Sequence, residues 1–139
     1  MRTVPYLIFN GNCEEAMKFY AGVFGTEPQI MRFDGMPEGD GPPMSAGYKN
    51  KVMHGELKLG SEYYLYFSDT FEGGSVSVGD NITLHIDVDS QADVDRYCTA
   101  LAEGGTVEME PGEVFWGAYY ASLVDKFGIG WGLHFQLPE

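Results

Sequence analysis

Asn12 and Ser90 stand 78 residues apart in matching surroundings, and that repetition constrains the fold more than any other feature of the chain. Each follows a short apolar run, "VPYLIFNG" or "NITLHIDVD", of the kind that forms a strand. Each has an acid three residues on, Glu15 or Asp93. With that spacing the first side chain accepts from free N–H groups in a helix's first turn, and the acid reaches back. Cys13, Ala16, Met17, Tyr20, Val23 and Phe24 then fall on one helical stripe, and Val94, Tyr97, Cys98 and Leu101 on another. Gly25 and Gly104-Gly105 stop the two helices. Three strand-like runs follow each helix: "EPQIMRFD", "KVMHGELKLG" and "EYYLYFSD", then "TVEMEP", "VFWGAYYASLVD" and "IGWGLHFQL". The chain is therefore expected to be α+β, with two tandem βαβββ modules arising by duplication. Module one covers about 1–69, a connector 69–81, and module two about 81–139, all within a single domain.

This plan bears on "FNGNCEEA", where Asn10-Gly11-Asn12 could be a ligand loop with a reactive Cys13 behind it. A helix N-terminus lowers a thiol pKa. Cys13, however, opens the apolar stripe and has no histidine near it in sequence, so it reads as structural and the stretch as hinge and cap. Residues 34–50, "DGMPEGDGPPMSAGYKN", are rich in Gly and Pro and predict a long mobile loop that could cover a pocket. Asp34, Glu38 and Asp40 lack calcium-loop spacing. Residues 69–81 read as a flexible connector.

Composition excludes several classes. Eight basic against 21 acidic side chains give a net charge of −13 over 139 residues, which repels phosphate backbones and anionic membranes. Neither nucleic acid nor membrane is an expected partner. Cys13 and Cys98 form no Cys-x-x-Cys pair, so neither a disulfide framework nor a zinc knuckle follows. With 44% hydrophobic residues the chain can bury a core. No leader pattern or bilayer-length apolar run is visible, and a cytoplasmic location is expected.

"PYLIFNGNCEEAMKFY", "MHGELKLG" before "YLYFSD", and "VFWGAYYASLVDKFGIGW" resemble the PhnB-like branch of the vicinal-oxygen-chelate superfamily, the glyoxalase, bleomycin-resistance and dioxygenase proteins. The resemblance covers nearly the whole chain. It implies a curved eight-stranded, funnel-like mixed sheet with helices outside, a central cavity, and a homodimer in which modules pair within or between chains. Members of this branch often carry a name borrowed from demethylubiquinone methyltransferases. Methyl transfer is not expected here, since no glycine-rich strand-to-helix turn suits its cofactor. Many relatives place a divalent metal on one side chain from each of strands one, four, five and eight. Carried over residue by residue, those positions fall on Pro5, Tyr66, a residue near Asn81, and Gly132. Two lack a side-chain donor, so the usual metal site is expected to be missing and no cofactor is required.

Three histidines remain. His134 lies two residues past Gly132, and strand parity gives it the same face. His85 shares a face with Thr83 and Asp87, opposite Leu84 and Ile86. His85 and His134 could meet as a displaced pair holding a divalent transition metal, or could line a pocket as lone polar groups. No carboxylate partner for them is identified. His54, with Glu56 and Lys58 on its strand face, reads as structural. Phe115, Trp116, Tyr119 and Tyr120 crowd the run assigned to strand seven, with Trp131 in strand eight and Tyr63, Tyr64 and Tyr66 in strand four. Such rings suit an aromatic-walled cavity for a flat or apolar molecule. The candidate ligand-binding residues are Tyr66, His85, Trp116, Tyr120, Trp131 and His134; no catalytic residue is assigned. Asp125 in "DKFG" is expected to cap the turn into strand eight.

The leading expectation is a small-molecule-binding protein without the usual family metal. The alternative is a metal-assisted or acid–base enzyme of lyase, isomerase or dioxygenase type. It would use His85, His134 and Glu56 or a tyrosine hydroxyl. A third is a domain serving mainly as an interaction partner.

Overall fold

The computed structural model describes residues 1–37, 39, 41 and 43–139, so Glu38 and Asp40 of the proline-rich loop lie outside the described residues. The chain divides into two compact units, Met1–Ser77 and Val78–Glu139, with the boundary inside the expected connector. Each unit is one βαβββ module, as the repeat predicts. The first runs β1 (Tyr6–Phe9), α1 (Cys13–Phe24), β2 (Gln29–Arg32), β3 (Val52–Lys58) and β4 (Tyr64–Asp69). The second runs β5 (Thr83–Asp87), α2 (Gln91–Leu101), β6 (Thr106–Val114), β7 (Ala118–Val124) and β8 (Gly130–Gln136). The sheets have corresponding orders, β1-β4-β3-β2 and β5-β8-β7-β6. In each, the first and last strands pair parallel, which places the strand leading into the helix at one edge.

Each helix covers one face of its sheet. In the first unit, Cys13, Ala16, Met17 and Tyr20 are buried, as are Phe9, Leu57, Leu65 and Phe67 of the sheet. A side chain at Gly55 would run into the Met17 thioether, so the glycine lets α1 approach β3. In the second, Val94, Cys98 and Leu101 are buried together with Ala121, Leu123, Trp131 and Leu133. Strand alternation then directs the opposite set of side chains away from the helix. That set contains the candidate chemistry.

The two caps turn out differently. Ser90 Oγ accepts from Asp93 N–H at 3.0 Å, as its spacing requires. Asn12 makes no side-chain cap bond. Its role passes to buried Asp69, which accepts from Cys13 N–H at 2.9 Å with one oxygen and from Val52 N–H at 3.0 Å with the other. An acid at the end of β4 thus caps α1 across the sheet, which a local sequence motif cannot reveal. Gly25 ends α1 in the left-handed conformation at φ 65°. Helix α2 stops at Leu101, three residues before Gly104.

Asn10 answers the question raised by "FNGN". Its side-chain amide pairs with Val76, accepting from N–H at 2.7 Å and donating to the carbonyl at 3.2 Å. The hinge therefore grips the connector backbone. Cys13 is fully buried, and burial, followed by the Asp69 carboxylate, pushes its thiol pKa well up. That removes the thiolate a nucleophile requires. Ser45 and Tyr48 of the 34–50 loop are also held, as is Phe33 just before it. Ser45 donates to Glu72 from N–H at 2.7 Å and from Oγ at 2.6 Å, Tyr48 Oη donates to the Thr70 carbonyl, and Phe33 packs on Phe71 at 5.5 Å.

Candidate functional site

Three side chains of the second unit converge on the sheet face away from α2. His85 and Asp87 sit two residues apart on β5, and Asp87 is the register partner of His134 on β8. Asp87 Oδ1 lies 2.9 Å from His85 Nε2 and 3.0 Å from His134 Nδ1, and the two rings are 5.3 Å apart. One carboxylate oxygen therefore bridges two imidazoles. The His85 hydrogen bond, with His134 adding to it, holds the Asp87 carboxyl below the usual carboxylate range. His134 is the sheltered member at 16% side-chain exposure, against 53% for His85 and 76% for Asp87.

Aromatic rings extend this cluster along the sheet. Tyr120 is the register partner of His134 on β7, with its ring 6.5 Å away. Trp116 stands edge-on to Tyr120 at 5.6 Å, and Phe115 to Trp116 at 5.1 Å. A side chain at Gly132 would begin 2.6 Å from Tyr120 Oη. The tyrosine hydroxyl thus fills the space beside β8 that glycine leaves, and Gly132 is itself the register partner of His85.

Several sequence expectations are corrected here. The run "VFWGAYYASLVD" is not one strand: Val114 ends β6, Phe115–Gly117 is a hairpin turn, and β7 begins at Ala118. The turn explains why its hydrophobic alternation is poor. It also leaves Phe115 97% exposed, with Trp116 at the sheet's end. Trp131 does not line the open face. It is 1% exposed and donates its indole N–H to Asp125 Oδ2 at 2.8 Å, on the α2 side. Parity required this, because Trp131 and His134 are three residues apart on one strand. The carboxylate partner missing from the sequence reading is Asp87. The signal was present: the alternation of "NITLHIDVD" places Asp87 on His85's face.

Tyr66 belongs to the first unit's open face and is anchored there. Arg2 Nη2 donates to its hydroxyl at 2.8 Å, and its ring lies 5.8 Å from Tyr6 and 5.0 Å from His54. His54 is held on both sides, with Tyr6 Oη 2.7 Å from Nδ1 and Glu56 Oε2 3.0 Å from Nε2. Burial pushes the Tyr6 phenol up, which keeps it protonated and able to donate to the ring. A separate groove of about 390 Å³ lies at the end of α1, lined by Lys18, Ala21, Gly22 and Gly25 to Pro28, and includes none of these residues.

Two of the four positions that the resemblance assigns to the superfamily's usual metal carry no side-chain donor. In the first unit, Pro5 offers no side-chain ligand and the Tyr66 hydroxyl is committed to Arg2. In the second, Asn81 precedes β5, and Gly132 has no side chain while Tyr120 occupies the adjoining space.

Tandem βαβββ units of this topology give the chain the fold of the glyoxalase, bleomycin-resistance and dioxygenase class. Within that class, residues 1–134 match the family described as 3-demethylubiquinone-9 3-methyltransferase, and the chain belongs to this PhnB-like family. Protein YjdN of Escherichia coli K12 is 29% identical over 135 residues, spanning 91% of this chain and 90% of its own. The crystal structure of protein PA1353 from Pseudomonas aeruginosa is 36% identical, with 99% of each chain covered and a TM-score of 0.81. The PhnB protein from Bacillus cereus is 23% identical, covers 97% of this chain and 99% of its own, and has a TM-score of 0.76; at that identity it shows the fold alone. Among the described residues, no helix is long and apolar enough to cross a membrane.

Proposed function

We propose that the open sheet face of the second unit binds a small organic molecule, flat or apolar at one end and hydrogen-bonding at the other. The observation that carries this reading is the continuous row Trp116, Tyr120, His134, His85, with Asp87 bridging the imidazoles. Rings buried under α2 would serve packing. These stand on the other face, where aromatic surface and a convergent polar group are what a small-molecule site needs. Trp116 and Tyr120 would hold the apolar end, while the Tyr120 hydroxyl and the Asp87–His pair would fix the polar end. The methyltransferase wording of the family is not carried to this chain. The strand-to-helix turns, Asn10–Asn12 and Val88–Ser90, contain one glycine between them, Gly11.

The test is a compound screen by thermal shift on protein stripped with chelator. A ligand at a hundred times its Kd stabilises by about 2.7 kcal/mol, or about 10 °C for a chain of this size. Trp116→Ala and Tyr120→Ala should each abolish the shift while leaving the unliganded melting temperature within a few degrees. A hit whose shift survives both substitutions sinks the proposal.

A second reading has an observation of its own. A carboxylate oxygen against an imidazole N–H is the arrangement that orients a histidine for proton transfer. On this reading Asp87 positions His85, the more exposed ring, as base in an acid–base enzyme of lyase or isomerase type. Turnover lost in His85→Gln, with ligand binding kept, would favour it. The expected homodimer belongs to the proposal as well. Phe115 at the hairpin tip is a residue whose burial would accompany pairing, and light scattering of Phe115→Ser against the parent chain reads it out.

A further inference from the structure

We propose that His85, Asp87 and His134 hold one divalent transition-metal ion of borderline hardness, such as Zn²⁺, Co²⁺ or Ni²⁺, at a site displaced from the positions the fold family uses. This deepens the reading of the second unit's open face and rests on it for biological purpose, but its geometry stands independently. Two imidazole nitrogens and a carboxylate oxygen are the donor set that borderline cations select over Mg²⁺ or Ca²⁺.

The donor atoms are spaced closely enough to share one ion. An ion about 2.1 Å from two donors at a right angle separates them by about 3.0 Å; a tetrahedral ion separates them by about 3.4 Å. Two edges of the ion-free cluster are 2.9 and 3.0 Å, hydrogen-bond lengths already close to the spacing of donors on one ion. All three donor atoms lie within 4.8 Å of one another. Side-chain rotations could therefore bring all three donors onto one ion. The remaining positions point toward solvent, since His85 and Asp87 are both more than half exposed.

The framework is rigid where it must be. His85 and Asp87 occupy alternate positions on one strand, so their side chains leave the same face. His134 is tied to Asp87 by strand register, and Val88 N–H donates to the His134 carbonyl at 2.8 Å. None of the three sits on a loop, and sites built on strands hold their geometry better than loop sites. Without an ion, each facing nitrogen presents its hydrogen to Asp87 Oδ1. Moving that hydrogen to the ring's other nitrogen frees two lone pairs, so uptake needs a tautomer change and no backbone motion. The Tyr120 hydroxyl lies over Gly132, the register partner of His85, on the same sheet. A net charge of −13 favours the approach of a dication.

The experiment is titration of chelator-stripped full-length protein with Co²⁺ alone, followed by its visible absorption, and with Zn²⁺ alone by calorimetry. One ion per chain is expected. His85→Gln and His134→Gln, which keep side-chain bulk and need far-ultraviolet dichroism to confirm folding, should each weaken binding by more than about a hundredfold. That is beyond what loss of an outer-shell partner costs. Asp87→Asn should weaken it by at least about tenfold. His54→Gln, on the first unit, should leave it unchanged. Affinity should fall on acidification, because the imidazoles must bind as neutral rings.

Three results would overturn the proposal: a Kd weaker than about 1 mM, binding unchanged in the His85→Gln/His134→Gln double variant, or binding lost with His54→Gln. The screen on stripped protein separates this from the reading above. Ligand-dependent stabilisation without ion uptake removes the metal site and keeps the organic one. Ion uptake without any organic ligand does the reverse.

Discussion

Asp125 organises the approach to β8, and removing its carboxylate should be among the most damaging single changes in the second unit. It is 3% exposed. Oδ1 accepts from Phe127 N–H at 2.8 Å and Ile129 N–H at 3.0 Å, closing the turn, while Oδ2 accepts from the Trp131 indole at 2.8 Å. The two turn donors are partly exposed and can turn to water. The indole N–H cannot, and a buried donor left without a partner costs about 1–3 kcal/mol. Loss of the turn's two charge-assisted bonds adds about 1–2 kcal/mol, and relief of a buried charge returns part of it. Asp125→Ala should therefore cost about 3 kcal/mol, a large share of the 5–15 kcal/mol typical of a domain. Asp125→Asn keeps an oxygen for the turn but sets an amide NH₂ against the indole N–H. It should cost about 2 kcal/mol, and much less in a Trp131→Phe background, where no donor faces it. Urea titrations followed by far-ultraviolet dichroism measure the parent chain, the three single variants and the Asp125→Asn/Trp131→Phe double variant. The reasoning fails if Asp125→Ala costs under about 1 kcal/mol, or if Asp125→Asn costs the same in both backgrounds.

Other consequences can be checked as directly. Glu14 is held at a pKa of about 2, chiefly by its hydrogen bond to Arg32, with Nη1 and Nη2 donating to the two carboxylate oxygens at 2.8 and 3.0 Å. A depressed carboxyl stabilises the fold above its unfolded value of about 4.3 and ceases to as pH falls through the folded value. Glu14→Gln should thus flatten the stability profile between about pH 4.3 and 2, by under about 1 kcal/mol because water screens a pair a third exposed. Gly105 needs space rather than an unusual φ. A side chain there would press on the Val124 carbonyl and lie 2.9 Å from the Asp125 backbone, so Gly105→Ala should lower stability by about 1–3 kcal/mol in the same titrations. Asn10→Ala removes both bonds to Val76 and should speed protease cleavage within 69–81 while leaving the helical dichroism unchanged.

The tandem plan was legible because it rests on local chemistry repeated at a fixed spacing. Apolar runs, helical stripes and glycine stops need no partner elsewhere to be recognised. What escaped was long-range in sequence. Asp69 caps a helix 56 residues away, and nothing near Cys13 announces it. The hairpin at Phe115–Gly117 hid inside a run of aromatic residues whose β propensity overrode its one glycine as a turn signal. Trp131 was misplaced although the parity that placed His134 correctly excludes it from that face. Asp87 stands two residues from His85, but its second imidazole arrives from β8, and only strand register joins them.

Tyr120 and Gly132 bind each other's choices. A glutamate introduced at 132 alone meets a ring already in place and must force it from its rotamer, at about 1–3 kcal/mol. Tyr120→Ala alone opens a gap that solvent can fill. The order of substitution therefore matters: the path through the smaller residue at 120 is open, and the path through the larger one at 132 is obstructed. A carboxylate donor gained at that point of β8 in one step comes with displacement of the Tyr120 ring. The metal affinity proposed for this sheet would therefore be tuned at 85, 87 and 134, where the imidazoles and the carboxylate already stand.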